Sequence, residues 1–158
     1  MGSEYNKREV LSAAEIRLKL KEQAMSPEKI KHLEFIQDVI TRMNNNSFQM
    51  KGWMVAIVSA LLAIYASTEN NRFVLVALVP AVIFWFLDTY YLWQERKFRG
   101  LYNDVAGITK NNNVELFAMR PDLYTGGKYS YMNVFGSVTI VLVYVPVIVI
   151  LFGIYFLL

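Results

Sequence analysis

The sequence predicts an all-α membrane protein with three transmembrane helices, arranged as a hairpin plus one further span, with cytoplasmic amphipathic helices. Hydrophobic residues make up 55% of the 158 positions and charged residues only 18%. The apolar residues form three long blocks, whereas residues 1–51 and 94–133 contain nearly all the charge. This segregation is typical of a membrane protein with polar extensions rather than of a soluble domain.

The first two segments are polar. Residues 1–25 have mixed charge and weak helical periodicity, which predict a mobile or weakly helical segment and no cleaved signal peptide. Residues 26–51 are predicted to form a cytoplasmic amphipathic helix, since Ser26 is a suitable N-cap and Pro27 suits the first helical position. An apolar stripe follows at three-to-four spacing, formed by Leu33, Ile36, Ile40 and Met43.

Two local features qualify this amphipathic helix. The run Asn44–Ser47 is predicted to be a polar break or a bend, after which the helix resumes at Phe48 and enters the membrane. His32 is the only histidine of the chain and is expected on a solvated helix face. The apolar stripe is interpreted as packing against the helix at 94–105 or a neighbouring subunit, with a docking surface for a partner as the alternative.

Residues 52–93 are predicted to form a transmembrane hairpin. Its first span covers about Gly52 to Ala66 and its second about Phe73 to Trp93, so the connecting loop is short. Pro80 in the second span and Pro146 in the third are predicted hinges. Small residues at helical spacing predict close helix packing, within the hairpin or between subunits. They are Ala56, Ser59, Ala60, Ala63, Ala77 and Ala81.

The rest of the chain is predicted to be a cytoplasmic helical segment at 94–133 and a third transmembrane helix at 134–158, which contains no charged residue. Residues 1–51 hold nine Lys and Arg and residues 94–133 hold six, whereas the hairpin loop holds only Arg72. The positive-inside rule therefore predicts a cytoplasmic amino terminus and a periplasmic or extracellular carboxyl terminus.

Asp88 is the carboxylate of the second span, where an ionised group is costly unless it is paired. Counted from the middle of the hairpin loop, Asp88 and Lys51 lie at the same depth, so the hairpin predicts an intramembrane ion pair between them. The favoured interpretation is a pair that fixes the register of the hairpin. A pore-lining or proton-sensitive site and simple interfacial snorkelling are the alternatives.

A basic cluster formed by Arg96, Lys97 and Arg99 directly follows the second span. Such juxtamembrane clusters most often set topology and attract anionic head groups. The cluster is therefore predicted to contact anionic lipid or phosphate, and a phosphate-binding collar for a nucleotide is the sharper alternative.

No motif in the sequence indicates catalysis. Cysteine is absent, and a single histidine with no cysteine disfavours a metal site. The chain shows no phosphate loop, no dinucleotide turn and no serine nucleophile with a base. We therefore expect a non-enzyme without metal or cofactor, and the small net charge does not indicate nucleic-acid binding.

Two stretches of the chain carry a resemblance to a known family. They run from KHLEFIQ at 31–37 to MKGW at 50–53, and from FWFLD at 84–88 to RGLY at 99–102. The chain resembles small bacterial inner-membrane proteins of the RipA family of octameric membrane proteins. More loosely, it is similar to the two-helix membrane effectors of antiphage nucleotide signalling. The resemblance implies a ring-like homo-oligomer in a bacterial cytoplasmic membrane, and it implies no catalytic residue.

Two functions follow as hypotheses. In the first, the chain is a homo-oligomeric inner-membrane protein that forms a pore or perturbs the membrane under the control of its cytoplasmic helices. In the second, it is a membrane anchor or scaffold that recruits a cytoplasmic partner through the 26–51 helix. The expected partners are the lipid bilayer, other copies of the chain, and a nucleotide or protein ligand on the cytoplasmic side.

Overall fold

A long helix, α1 (Pro27–Thr68), opens the fold in the computed structural model, which describes residues 25–157. The predicted N-cap is present, because the Ser26 hydroxyl accepts a hydrogen bond from the Lys29 N–H at 3.2 Å. The helix ends where Glu69 takes the left-handed conformation at φ 51° and donates its N–H to the Tyr65 carbonyl. Apart from Met25, the segment predicted at 1–25 lies outside the described residues.

The predicted break at Asn44–Ser47 is wrong, because α1 continues through these residues without interruption. Asparagine and serine each cost a helix only about 0.5–0.7 kcal/mol relative to alanine. Asn44 and Asn45 point to the exposed side, and Ser47 is buried against the neighbouring helix. Packing on both sides of this run therefore outweighs its weak helical propensity, and the predicted segments 26–51 and 52–66 form one helix.

The second long helix, α2 (Arg72–Ala106), runs antiparallel to α1 and ends at Gly107 with φ 82°. The helix continues through Pro80 without a break. The segment after it is mostly irregular and includes two short 3-10 turns, Pro121–Leu123 and Gly127–Tyr129. The segment predicted to be helical at 94–133 is thus helical mainly where it continues α2.

The third apolar segment is divided in two. A short helix, α3 (Tyr131–Phe135), is separated by Gly136 and Ser137 from α4 (Val138–Leu157). The separation has a local cause, since the Gly136 N–H closes α3 on the Met132 carbonyl while the Ser137 carbonyl accepts from the first turn of α4. The third helix therefore begins four residues later than the predicted 134.

Two hydrophobic cores hold the helices together. The apolar core joins α1, α2 and α4, and its buried members are Met54, Val58, Val74, Ala77, Ala81, Ile140, Tyr144 and Leu151. The polar-end core lies at the other end of the hairpin and consists of Leu33, Ile36, Ile40, Leu101, Val105 and Tyr124. Helices α1, α2 and α4 are each long and apolar enough to cross a membrane. Within the described residues the fold is thus all-helical, with three candidate membrane spans.

Candidate functional site

A buried polar cluster, formed by Ser47, Lys51 and Asp88, lies between the two cores. The Lys51 Nζ is 2.6 Å from the Asp88 Oδ2, and it also donates a hydrogen bond to the Ser47 hydroxyl at 3.0 Å. The Ser47 hydroxyl in turn donates to the Asp88 Oδ1. The structure therefore brings together the two residues that the hairpin count pairs, and it adds Ser47, which the sequence reasoning missed.

The surroundings of this cluster explain its geometry. Asp88 is fully buried, whereas the Lys51 side chain keeps 20% of its surface exposed. Lys51 lies four residues after Ser47 on α1, so both side chains point to the same side of the helix. That spacing is the one sequence signal that could have identified Ser47. A buried carboxylate with an ammonium and a hydroxyl as partners is neutralised within a single chain.

The small residues divide into two groups. Ala77 and Ala81 of α2 are fully buried in the apolar core, where they allow α1 and α4 to approach closely. The four small residues of α1, namely Ala56, Ser59, Ala60 and Ala63, are all exposed. The small-residue stripe of α1 therefore does not pack within its own hairpin, and its contact between subunits stays a prediction.

The predicted basic cluster is only partly assembled. Arg96 and Arg99 line one cavity of about 300 Å³, together with Gly100, Asn103, Lys128 and Tyr129. Lys97 is turned away from this cavity, and its Nζ lies 4.1 Å from the centre of the Trp93 ring. Lys128 replaces Lys97 as the third cation, although it lies 29 residues further along the chain than Arg99. We call this cavity the cationic pocket.

The loop that carries Lys128 is held against α2 by three contacts. The Trp93 indole N–H donates to the Tyr129 carbonyl at 2.6 Å. The Tyr124 hydroxyl donates to the Asp104 Oδ2 at 2.7 Å. The third contact is the close approach of two tyrosines to Gly100. A Cβ atom there would lie 2.5 Å from Tyr124 Cδ1 and 2.8 Å from the Tyr129 hydroxyl oxygen. The glycine thus allows both tyrosines to approach the helix.

Asp104 organises the turn that follows α2. Its carboxylate accepts hydrogen bonds from the Thr109 hydroxyl, from the backbone and side-chain N–H groups of Asn112, from the Asn111 N–H and from Tyr124. Partial burial raises the pKa of Asp104, but these hydrogen bonds lower it by more, so the net pKa lies below its ordinary value. Burial, followed by the bond to Asp104, raises the pKa of Tyr124. At neutral pH the pair is therefore a carboxylate and a protonated phenol.

The predicted position of His32 is wrong, because its side chain is 99% buried rather than solvated. Its Nδ1 accepts a hydrogen bond from the Phe117 N–H at 3.2 Å, across 85 residues of sequence. A larger cavity of about 480 Å³ lies beside His32 and is lined by Lys29, Lys110 and Asp104, among others. This second cavity includes a carboxylate, which makes it less suited to an anion than the cationic pocket.

The apolar stripe of the 26–51 helix is used inside the chain. Leu33, Ile36 and Ile40 are buried in the polar-end core, where they meet Leu101 and Val105 of α2.

Comparison with family models, with curated proteins and with solved structures finds no match.

Proposed function

We propose that the protein is a homo-oligomeric bacterial inner-membrane protein that forms a pore or perturbs the bilayer, and that its polar end controls this activity. We place the amino terminus and the 94–133 segment in the cytoplasm, because these parts hold fifteen of the sixteen Lys and Arg residues. The proposal includes no catalytic step.

The continuity of the two long helices is the observation that carries this proposal. Helices α1 and α2 each run without a break from the polar-end core into the apolar core. A rearrangement of the polar end would therefore be transmitted directly to the membrane segment. Switching proteins commonly use such rigid elements to connect a ligand-binding part to a moving part.

The exposed small-residue stripe of α1 supports self-association. Within lipid, helices associate through close packing of small residues, because lipid tails provide no hydrophobic drive. Within residues 25–157 the stripe stays exposed, and α1 also exposes larger apolar residues such as Val55 and Ile57 beside it. A second copy of the chain offers a matching surface by symmetry.

Ion flux through the reconstituted protein tests the proposal. The full chain would be purified, placed in liposomes loaded with a fluorescent anion, and compared with protein-free liposomes of the same lipid. We expect release of the dye that rises more steeply than linearly with protein density, since several copies form one assembly. Liposomes that stay sealed at every protein density would contradict the pore and the membrane-perturbing function together.

A second candidate, a membrane anchor, is favoured by one observation. The polar end exposes apolar side chains that lie outside both cores, including Ile30, Phe35, Ile108 and Phe117. These residues, and not the buried stripe of the 26–51 helix, would then contact a partner. Sealed liposomes, combined with loss of a cellular complex on Phe35→Ser but not on Phe48→Ser, would support this candidate over the first.

A further inference from the structure

The cationic pocket lies at a defined depth relative to the apolar part of α2. The apolar run ends at Trp93, and Arg96 and Arg99 follow three and six residues later. At a rise of 1.5 Å per residue, the Cα atoms of the two arginines lie about 5 and 9 Å beyond the end of the hydrocarbon span. The head-group region on each side of a bilayer is about 5–8 Å thick. In a bilayer whose hydrocarbon region ends at Trp93, the pocket would therefore be at the level of the lipid phosphates.

The charges around the pocket favour an anion. Arg96, Arg99 and Lys128 line it, and no carboxylate among residues 25–157 does. Glu95 lies behind the lining and holds the Arg99 Nε at 2.6 Å, which leaves the two terminal nitrogens of that guanidinium as donors. Because Glu95 offsets only one of the three positive charges, the pocket keeps a net positive charge.

The pocket is also built by tertiary structure rather than by a run of basic sequence. Arg96, Arg99, Gly100 and Asn103 share one face of α2 through their three-to-four spacing. Lys128 reaches this face because Trp93 binds the loop that carries Lys128 and because Gly100 lets that loop approach the helix closely. Arginine forms paired hydrogen bonds with phosphate oxygens, and lysine adds a point charge.

We propose that the cationic pocket binds the phosphate of an anionic membrane lipid, with Arg96 and Arg99 as donors to its oxygens and Lys128 closing the site. The Trp93 indole at the boundary of the span fits an interfacial ligand of this kind. The site needs only that the hairpin lies in a membrane, so it stands whether or not the protein conducts ions. Its role is to fix a lipid between α2 and the loop that carries Lys128.

Lipid titration of the detergent-purified full chain tests the site. Native mass spectrometry would measure the apparent affinity for phosphatidylglycerol, phosphatidylcholine and inorganic phosphate. We expect the protein to prefer phosphatidylglycerol to phosphatidylcholine, and Lys128→Gln to weaken phosphatidylglycerol binding about fivefold. The double variant Arg96→Gln with Lys128→Gln should weaken it about 25-fold.

Lys110→Gln is the matched control, because Lys110 is an exposed lysine that lines the other cavity. It should leave phosphatidylglycerol binding within twofold of wild type, and the lipid-free melting temperature of all variants should match wild type. Equal affinity for the two lipids, or equal losses for Lys128→Gln and Lys110→Gln, would overturn the proposal. Binding of inorganic phosphate without binding of phosphatidylglycerol would overturn it as well.

Discussion

Asp88 shows how one carboxylate can be held in an apolar hairpin. Its charge is balanced by Lys51 and its second oxygen is occupied by Ser47. Removing one member of a buried ion pair leaves the other charge uncompensated, whereas replacing both with apolar groups does not. The polar cluster therefore acts as one unit, and the effects of substituting its members on the free energy of unfolding should not be additive.

The first prediction follows from this coupling. Asp88→Leu should lower the free energy of unfolding by about 3 kcal/mol, because Lys51 loses its partner. The double variant Lys51→Met with Asp88→Leu should recover most of that loss. Unfolding in mixed micelles with increasing SDS measures both values. Equal losses in the single and double variants would contradict the ion pair as the stabilising contact.

Asp88→Asn separates stability from activity. It keeps the shape of the side chain and a hydrogen-bond acceptor for Ser47, while it removes the charge. If the variant assembled normally and released dye from liposomes as fast as wild type, the carboxylate would have only a structural role, as the favoured interpretation of the sequence holds.

Gly100 gives a second prediction at the residue scale. Gly100→Ala should destabilise the protein by about 1–3 kcal/mol, because its Cβ would overlap the Tyr124 ring and the Tyr129 hydroxyl oxygen. Gly52→Ala is the control, since a Cβ at Gly52 meets no atom within 4 Å and helix propensity alone should make it neutral or stabilising. Thermal unfolding followed by circular dichroism compares the two. An equal loss of stability in both variants would show that the close approach of the two tyrosines to Gly100 does not require a glycine.

Single residues also show where sequence reasoning reaches its limit. The pairing of Lys51 with Asp88 could be predicted, because a short hairpin loop fixes which residues share a depth. The approach of Lys128 to Arg96 could not, because it depends on an irregular loop whose path is set by the Trp93 and Gly100 contacts. The burial of His32 likewise depends on a distant backbone N–H, that of Phe117.

At the scale of elements, the turn after α2 depends on the ionised state of Asp104. The pKa of Asp104 is lower in the folded protein than its ordinary value of about 3.9. Its stabilising contribution is therefore complete above about pH 5 and is lost as the pH falls through the folded pKa.

Asp104→Asn tests this dependence. Asparagine offers one acceptor oxygen in place of two. The free energy of unfolding of the variant should therefore be lower by about 1–2 kcal/mol at pH 7, a value reduced by the partial exposure of the site. The difference from wild type should stay constant between about pH 5 and 8 and shrink below about pH 4. Melting temperatures across a pH series measure it. A difference that grows as the pH falls would contradict the assigned sign.

The helices differ in how well their sequences predict them. The three apolar runs identify α1, α2 and α4 as candidate spans, because length and hydropathy alone decide that property. The continuity of α1 through Asn44 and Asn45 was not predictable from propensity, since it depends on contacts of residues on either side. The start of α4 at Val138 depends on the local bonds of Gly136 and Ser137.

For the whole molecule, the exposed small-residue stripe of α1 gives a prediction about assembly. Ala60→Leu should shift the purified protein from a large complex towards the monomer, because the larger side chain prevents close approach between subunits. The free energy of unfolding of the monomer should change by no more than about 0.5 kcal/mol, since Ala60 is exposed within its own chain. Light scattering coupled to size-exclusion chromatography measures the mass.

Val76→Phe is the control for this test. Val76 is half-exposed on α2, so the substitution enlarges an outward-facing side chain elsewhere on the molecule. It should leave the mass of the complex unchanged. A complex of unchanged mass in Ala60→Leu, or dissociation in Val76→Phe alone, would remove the stripe from the subunit interface.

The polar cluster lies at the midpoint of α1, since Ser47 is the twenty-first of the 42 residues of the helix. With a length of about 63 Å, the helix extends about 30 Å to either side of that point. If α1 tilts about this fastening, the helix is a lever with two equal arms. A tilt of the polar end in one direction then swings the hairpin loop by the same distance in the opposite direction, with neither gain nor loss of amplitude.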